Sequence, residues 1–188
     1  MQELIRFAAD SDSARILEIY TPYILNTTIS FEYVPPSLSE FTERLQKLRS
    51  KYPYLVYERD GIILGFAYAS AYQERIAYLY DADLSIYLAP AAQKSGVGTK
   101  LYTCLLDLLQ KQGFYNVYAC ITGSNRSSIA FHTALGFRNL GAHPKAGYKF
   151  GSWLDIIWMD KQLPQPTTAP APLKPITTFS AKDILQLF

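Results

Sequence analysis

The stretch from Gln93 to Lys100, QKSGVGTK, sets Gly96 and Gly98 at the mouth of a run that is otherwise strongly helical. Glycine costs a helix about 1 kcal/mol relative to alanine, so bare backbone here needs a reason. A strand stopped by Pro90, a glycine loop and a helix opening at once make an anion cradle. Unpaired amides and the positive end of the helix dipole face whatever lies there. The loop is not a Walker motif, because the Lys-Ser/Thr pair after the second glycine is absent. It is not a dinucleotide GxGxxG either, because residue 101 is leucine. Close backbone approach to an anionic ligand is the chemistry that this spacing predicts.

Other chemistries find little support. His132 and His143 are too few and too isolated for a metal site, and Cys104 and Cys120 make neither a disulfide framework nor a thiolate cluster. Both cysteines read as core residues. A net charge of +2, with no run of Lys and Arg, argues against nucleic acid. No apolar run reaches the roughly 18 residues that a membrane span needs. The opening MQELIRFAAD lacks a signal architecture, so the cytoplasm is the expected setting.

The elements that must position the loop follow from periodicity. With 188 residues, 49% of them apolar and 18% charged, the chain is long enough for one domain with a sizeable core. LIRFAA reads as a first strand. SDSARILEIYTPYIL reads as a helix with Ile16, Ile19, Tyr20 and Tyr23 on one face. SLSEFTERLQKLRSK opens with a capping box, Ser37 and Glu40. YPYLVYERDGIILGFAYASAY is a hairpin turning at Asp60-Gly61, and RIAYLYDADLSIYLAP a third long strand. A helix from about Val97 to Gln112 carries Leu101, Leu105 and Leu108 and ends before Gly113. FYNVYACI is a strand, NRSSIAFHTALGF a short helix closed by Gly136, and YKFGSWLDIIWMDKQL a final hairpin or strand. The order is β-α-α-β-β-β-α-β-α-β, an α/β fold around a mixed sheet. Residues 1–163 form the domain. From Pro164 to residue 188 runs a Pro/Thr-rich tail whose first part is expected to stay off the core, and whose last apolar residues could dock somewhere.

The spacing Gln93-x-x-Gly96-x-Gly98 resembles the pyrophosphate signature of the GNAT acyltransferase superfamily, and SIYLAP before it and NRSSIAFHTALGF after it stand where that superfamily has them. The blocks NTTISFEY, YPYLVYERDGIILGFAYAS, AYLYDADLSIYLAP, IAFHTALGF and GYKFGSWLDIIWM resemble the phosphinothricin and methionine sulfoximine N-acetyltransferase branch, over residues 3 to 163. The resemblance implies a GNAT-like, mostly antiparallel sheet flanked by helices. It also implies acetyl-CoA as acyl donor, no metal, a small amine as acceptor, and a homodimer. The implied reaction is direct attack of an amino-acid-like α-amine on the thioester. Another amine, such as a polyamine, an aminoglycoside or a protein N-terminus, is the alternative acceptor. A weakly catalytic acetyl-CoA-binding module is the alternative outside enzymes.

Carried over residue by residue, Ile86, Tyr87 and Leu88 would lie along the pantetheine arm. Lys94, Ser95, Gly96, Val97, Gly98 and Thr99 would wrap the pyrophosphate. Asn125 would reach the pantetheine or simply cap a helix. The branch carries a glutamate base two residues before the serine of its strand. Here that serine is Ser85 and the position is Asp83, one methylene shorter, acting directly, through a water, or with Asp81. His132 stands where relatives place the group that protonates the leaving thiolate, or it packs on its helix. Phe31, Gln73, Arg75, Tyr78 and Ser85 fall on segments that contact the acceptor, with Arg75 suited to a carboxylate.

Overall fold

A computed structural model describes residues 2–164 and 169–185. Its centre is a seven-stranded sheet in the order β1-β2-β3-β4-β5-β7-β6. The strands are β1 (Glu3–Phe7), β2 (Tyr54–Arg59), β3 (Ile62–Ala71), β4 (Asp81–Leu88), β5 (Asn116–Thr122), β6 (Arg138–Lys149) and β7 (Ser152–Gln162). Only β4 and β5 pair in parallel; the other neighbours are antiparallel. The helices are α1 (Ser13–Asn26), α2 (Leu38–Arg49), α3 (Val97–Gln112) and α4 (Arg126–Ala134).

Alternation along β2 explains the two cores. Tyr54 and Val56 join Phe66, Ile16, Ile24, Phe41 and Leu45 under α1 and α2. Leu55 and Tyr57 join Ala67, Leu101, Leu105 and Leu108 under α3. A strand buried on both faces reads as a continuous apolar run, as YLVY does. Leu101, Leu105 and Leu108 are all at 0% exposure. Each therefore contributes about 2 kcal/mol of transfer free energy to holding α3 on the sheet.

Local signals hold well. Asp60 and Gly61 turn the β2–β3 hairpin with positive φ at both positions. Ser37 and Glu40 close the expected capping box on α2. Gly113 ends α3 with φ +108°.

Three expectations need correction. The long strand expected from RIAYLYDADLSIYLAP starts only at Asp81, after a 3₁₀ turn at Ile76–Tyr78. A seventh strand, β6, was missing from the expected order. Most of β6 is exposed, and its pairing with β7 breaks register twice, so it carries no apolar alternation to read. The first part of the tail does not stay wholly off the core, since Leu173 packs on the α3 core and Ile176 just after it is buried. The last part docks as its apolar residues suggest, with Phe179 packed on that core and Ile184 buried in it. Gln112 Nε2 donates to the Lys174 carbonyl, and the Cys104 thiol to that of Leu185. Residues 165–168 and 186–188 of the expected tail lie outside the described residues.

Candidate active site

The site begins where the sheet comes apart. β4 and β5 pair through Asp81–Asn116, Ala82–Val117 and Asp83–Tyr118, and no further. β5 then runs on with β7, while β4 stays with β3. Beyond Asp83 the outer edge of β4 is therefore free of a strand partner. Near its end the Tyr23 hydroxyl donates to the Leu88 carbonyl at 2.6 Å. Antiparallel pairing alternates its hydrogen bonds with period two, so the amides of Ile86 and Leu84 share that free edge. A groove of about 70 Å³ lies in the opening, lined by Ser85, Ile86, Tyr87, Cys120, Asn125 and His132 among others.

The strand that lines this groove also packs against the start of α3, where a Cβ on Gly98 would meet Leu88 and Ile86 of β4. Gly96 takes φ +84° as its N-cap, and no side chain caps the first turn. The first amides of α3 are thus left for an external anion. Within the protein the two glycines serve different needs. A Cβ on Gly96 would meet nothing within 4 Å; its requirement is the left-handed backbone. A Cβ on Gly98 would press on Leu88 and Phe131 at 3.4 Å, so this glycine lets α3 sit close on β4 and α4. Lys94 also holds positive φ, and Ser95 Oγ donates to the Ala92 carbonyl. Val97 is buried, and Thr99 follows in the first turn of the helix.

Asp83 lies at the vertex of the opening. Its Oδ1 is buried and finds no hydrogen-bond partner among the described residues. Desolvation pushes its pKa up to about 7, opposed only in part by the Leu84 amide. A buried acceptor with an open lone pair and a pKa near neutrality is the equipment of a general base. Asp81, the alternative, is already engaged by the Asn116 side-chain amide at 2.8 Å.

His132 on α4 is 3% exposed. Its Nδ1 lies 2.8 Å from the Ser128 carbonyl, which can only accept, so the proton sits on Nδ1. Burial lowers the imidazole's pKa, favouring the neutral ring. Nε2 then accepts the Tyr102 hydroxyl at 2.8 Å. The single proton that a neutral imidazole has to give is therefore committed to Ser128. Asn125 caps α4 by accepting from the Ser128 amide, and it also lines the groove.

A second cavity of about 560 Å³ adjoins the groove, sharing Ile29, Tyr87, Cys120 and Thr122 with it, and is lined by Tyr20, Phe31, Glu32 and Ile156 among others. Its wall is the loop after α1. Thr122 Oγ1 donates to the Thr28 carbonyl, and Ser30 Oγ meets the Tyr20 hydroxyl at 2.8 Å. Glu32 accepts from both Tyr20 and Arg44.

Comparison with known proteins decides what this pair of cavities belongs to. The family description "Acetyltransferase (GNAT) domain" matches residues 5–158. The chain belongs to the GNAT acetyltransferase family. It is an acetyl-CoA-dependent N-acetyltransferase. It is 37% identical to a phosphinothricin N-acetyltransferase of Streptomyces viridochromogenes, over 92% of this chain and 94% of that one. It is 34% identical to an L-methionine sulfoximine/L-methionine sulfone acetyltransferase of Salmonella typhimurium, over 85% and 94%. A GNAT superfamily phosphinothricin acetyltransferase from Sinorhizobium meliloti, solved in complex with acetyl-CoA, superposes with a TM-score of 0.87 at 38% identity, covering 91% of this chain and 94% of that chain.

In this GNAT acetyltransferase the structure brings Ser85, Ile86, Tyr87, Asn125 and His132 to one groove, with Phe31 in the cavity next to it, while Asp83 lines neither and stands two residues before Ser85 on β4. Gln73, Arg75 and Tyr78 stand on the exposed loop between β3 and β4 and line neither cavity. The root of that loop is nonetheless close, since Tyr72 stacks on Tyr118, the cross-strand partner of Asp83, with ring centroids 4.0 Å apart. Ser85 is hydrogen-bonded to the Tyr68 phenol. Cys120 is exposed and faces both cavities, against the core position expected for it. Burial of its surroundings pushes the thiol up to about 11, so it stays protonated and is a poor nucleophile. Sequence reading missed Tyr20, Glu32 and Thr122. Their signal was weak, because each reaches the site through a tertiary fold-back rather than a motif.

Proposed function

We propose that this chain transfers the acetyl group of acetyl-CoA to the α-amine of a small amino-acid-like substrate, of the phosphinothricin or methionine sulfoximine/sulfone type. The observation that carries the reading is Asp83, whose buried Oδ1 has no partner among the described residues and whose pKa is pushed up to about 7, at the point where β4 and β5 part. The donor fits the residues present. The uncapped first turn of α3, entered through Gly96, suits a pyrophosphate held by Lys94 to Thr99. The free edge of β4 at Ile86, Tyr87 and Leu88 suits an extended amide-bearing arm such as pantetheine, and Asn125 lies across the groove from it.

The chemistry follows from proton accounting. An α-ammonium with pKa near 8 must lose a proton before it can attack. Asp83 accepts that proton, directly or through one water. The freed amine attacks the thioester carbonyl, and a β4 backbone N–H stabilises the oxyanion that forms. Collapse breaks the C–S bond. The second ammonium proton passes to the departing thiolate, and the first leaves through Asp83 to solvent. No acyl-enzyme is needed, which agrees with the protonated state of Cys120. Arg75, on the loop rooted at Tyr72, is the cation assigned to the acceptor carboxylate. Gln73, Tyr78, Ser85 and Phe31 complete that side. Exposed Tyr148, Phe150 and Trp153 support a homodimer, and a cytoplasmic setting goes with the reading.

The test is thiol release from acetyl-CoA over a panel holding phosphinothricin, methionine sulfoximine, methionine sulfone, polyamines and aminoglycosides. Turnover led by the first three is expected. Release with no amine would leave an acetyl-CoA-binding module, and preference for a polyamine would reassign the acceptor.

A further inference from the structure

Lys149 is a buried charge that the chemistry above does not use. It is 1% exposed, and its ammonium donates to three backbone carbonyls: Ile24 at 2.7 Å, Thr27 at 2.9 Å and Ser30 at 2.6 Å. A tetrahedral ammonium has three N–H bonds to give, and here each finds an acceptor. A planar guanidinium would not converge on three carbonyls in this way.

The acceptors lie together at the end of α1 and in the loop after it. Ile24 is in the last turn of α1, Thr27 is its extended C-cap, and Ser30 lies in the loop that walls the acceptor cavity. α1 does not end on a left-handed glycine, so its last carbonyls need a partner from elsewhere. Lys149 supplies it from 125 residues away, with its charge at the negative end of the helix. Two residues earlier on β6, and so on the same face, Gly147 lies under the Phe31 ring. A Cβ there would collide with that ring. β6 thus holds the wall at two points, and Thr122 holds it from β5.

We propose that Lys149 is a positioning residue for the acceptor: it fixes the 27–32 wall, and so the width of the cavity where the amine lies, without touching substrate. The inference rests on reading that cavity as the acceptor site of an N-acetyltransferase. The groove read as the acetyl-CoA site is lined by β4, β5 and α4 with Ile29 alone from the 27–32 wall, whereas the second cavity takes Ile29, Ser30, Phe31 and Glu32 from it, so the effect of losing Lys149 should fall chiefly on the acceptor.

Lys149→Met keeps the length and removes the donors. With L-methionine sulfone as probe, the amine KM should rise about tenfold or more, while calorimetric acetyl-CoA affinity stays within about twofold. Amide hydrogen exchange should quicken at least about tenfold at 27–32 and stay unchanged at 94–100. Lys149→Gln, with two N–H donors, should recover part of the loss. An unchanged amine KM in the folded Met variant, or an equal loss of acetyl-CoA affinity, overturns the proposal. If Lys149→Met does not fold, Gly147→Ala disturbs the same wall from its other anchor and should show the same split. Failure of both to fold also overturns it, leaving the ammonium a role in the fold alone. If wild type does not turn over the sulfone, the proposed function fails while the exchange pattern still decides this inference.

Discussion

Asp83 of β4 and Tyr118 of β5 are the last two residues joined across the parallel strands before these part. The carboxyl therefore stands where backbone pairing stops and the cleft begins. That placement buries Asp83 Oδ1 without a partner, and desolvation lifts the pKa of the carboxyl to about 7 against the opposing Leu84 amide.

A pH–rate profile tests the base directly. For wild type, kcat/KM should rise with a midpoint near 7, as Asp83 gives up its proton. Asp83→Asn should abolish that limb and lower turnover at pH 7 by about 10²- to 10⁴-fold. The gap should narrow toward pH 9, where more amine arrives deprotonated. Asp83→Glu should keep activity. Parallel profiles for wild type and Asp83→Asn would reject the assignment.

The same carboxyl should cost the unliganded protein stability. Its folded pKa is raised from 3.8 to about 7, so the folded state holds the proton more tightly than the unfolded one. The group's contribution is fully present below about pH 4 and is lost as pH rises to about 7. The loss above that is at most about 4 kcal/mol. Asp83→Asn does not titrate, so its stability relative to wild type should be higher at pH 8 than at pH 5 in urea unfolding of the unliganded protein. Equal differences at both pH values would mean that water reaches the carboxylate.

Gly96→Val forces a β-branched residue into φ +84°, a strain of about 1–3 kcal/mol. The loop should relax away from its cradle geometry, raising the acetyl-CoA Kd about tenfold or more. An unchanged Kd by calorimetry, in a variant that folds, would remove the loop from cofactor binding.

His132→Phe separates a packing role from a proton-donating one. The Tyr102 hydroxyl would lose its buried acceptor, at a cost of about 1–3 kcal/mol in stability. Turnover should fall by less than about tenfold, with the pH profile unchanged in shape. A fall of about a hundredfold with stability intact would instead make His132 the donor to the thiolate.

What was legible in the sequence was local. The bounds of α3, the Asp60-Gly61 turn and the Ser37–Glu40 box depend on residues a few positions apart, and all three stand as read. The half proposed to hold the cofactor shares this property, since Gly96, Gly98 and Asn125 stand at the starts of α3 and α4. The half proposed for the acceptor does not. Lys149 meets Ile24 across 125 residues, Thr122 meets Thr28 across 94, and Phe31 needs Gly147 to be bare. No period or spacing encodes such meetings. β6 escaped for a related reason: an exposed, twice-interrupted strand has no buried face to alternate.

The strap formed by the described tail residues changes where a shortened version of the enzyme should end. Composition suggests a clean cut after Leu163. Yet residues 173–185 lie over α3, with Ile184 buried in its core and the Leu185 carbonyl against the Cys104 thiol. A trimmed chain would present that sulfur and its leucine neighbours to water, which invites oxidative cross-linking and clumping during purification. Crystallisation and fusion work should carry the strap intact and attach any handle at the other end of the chain.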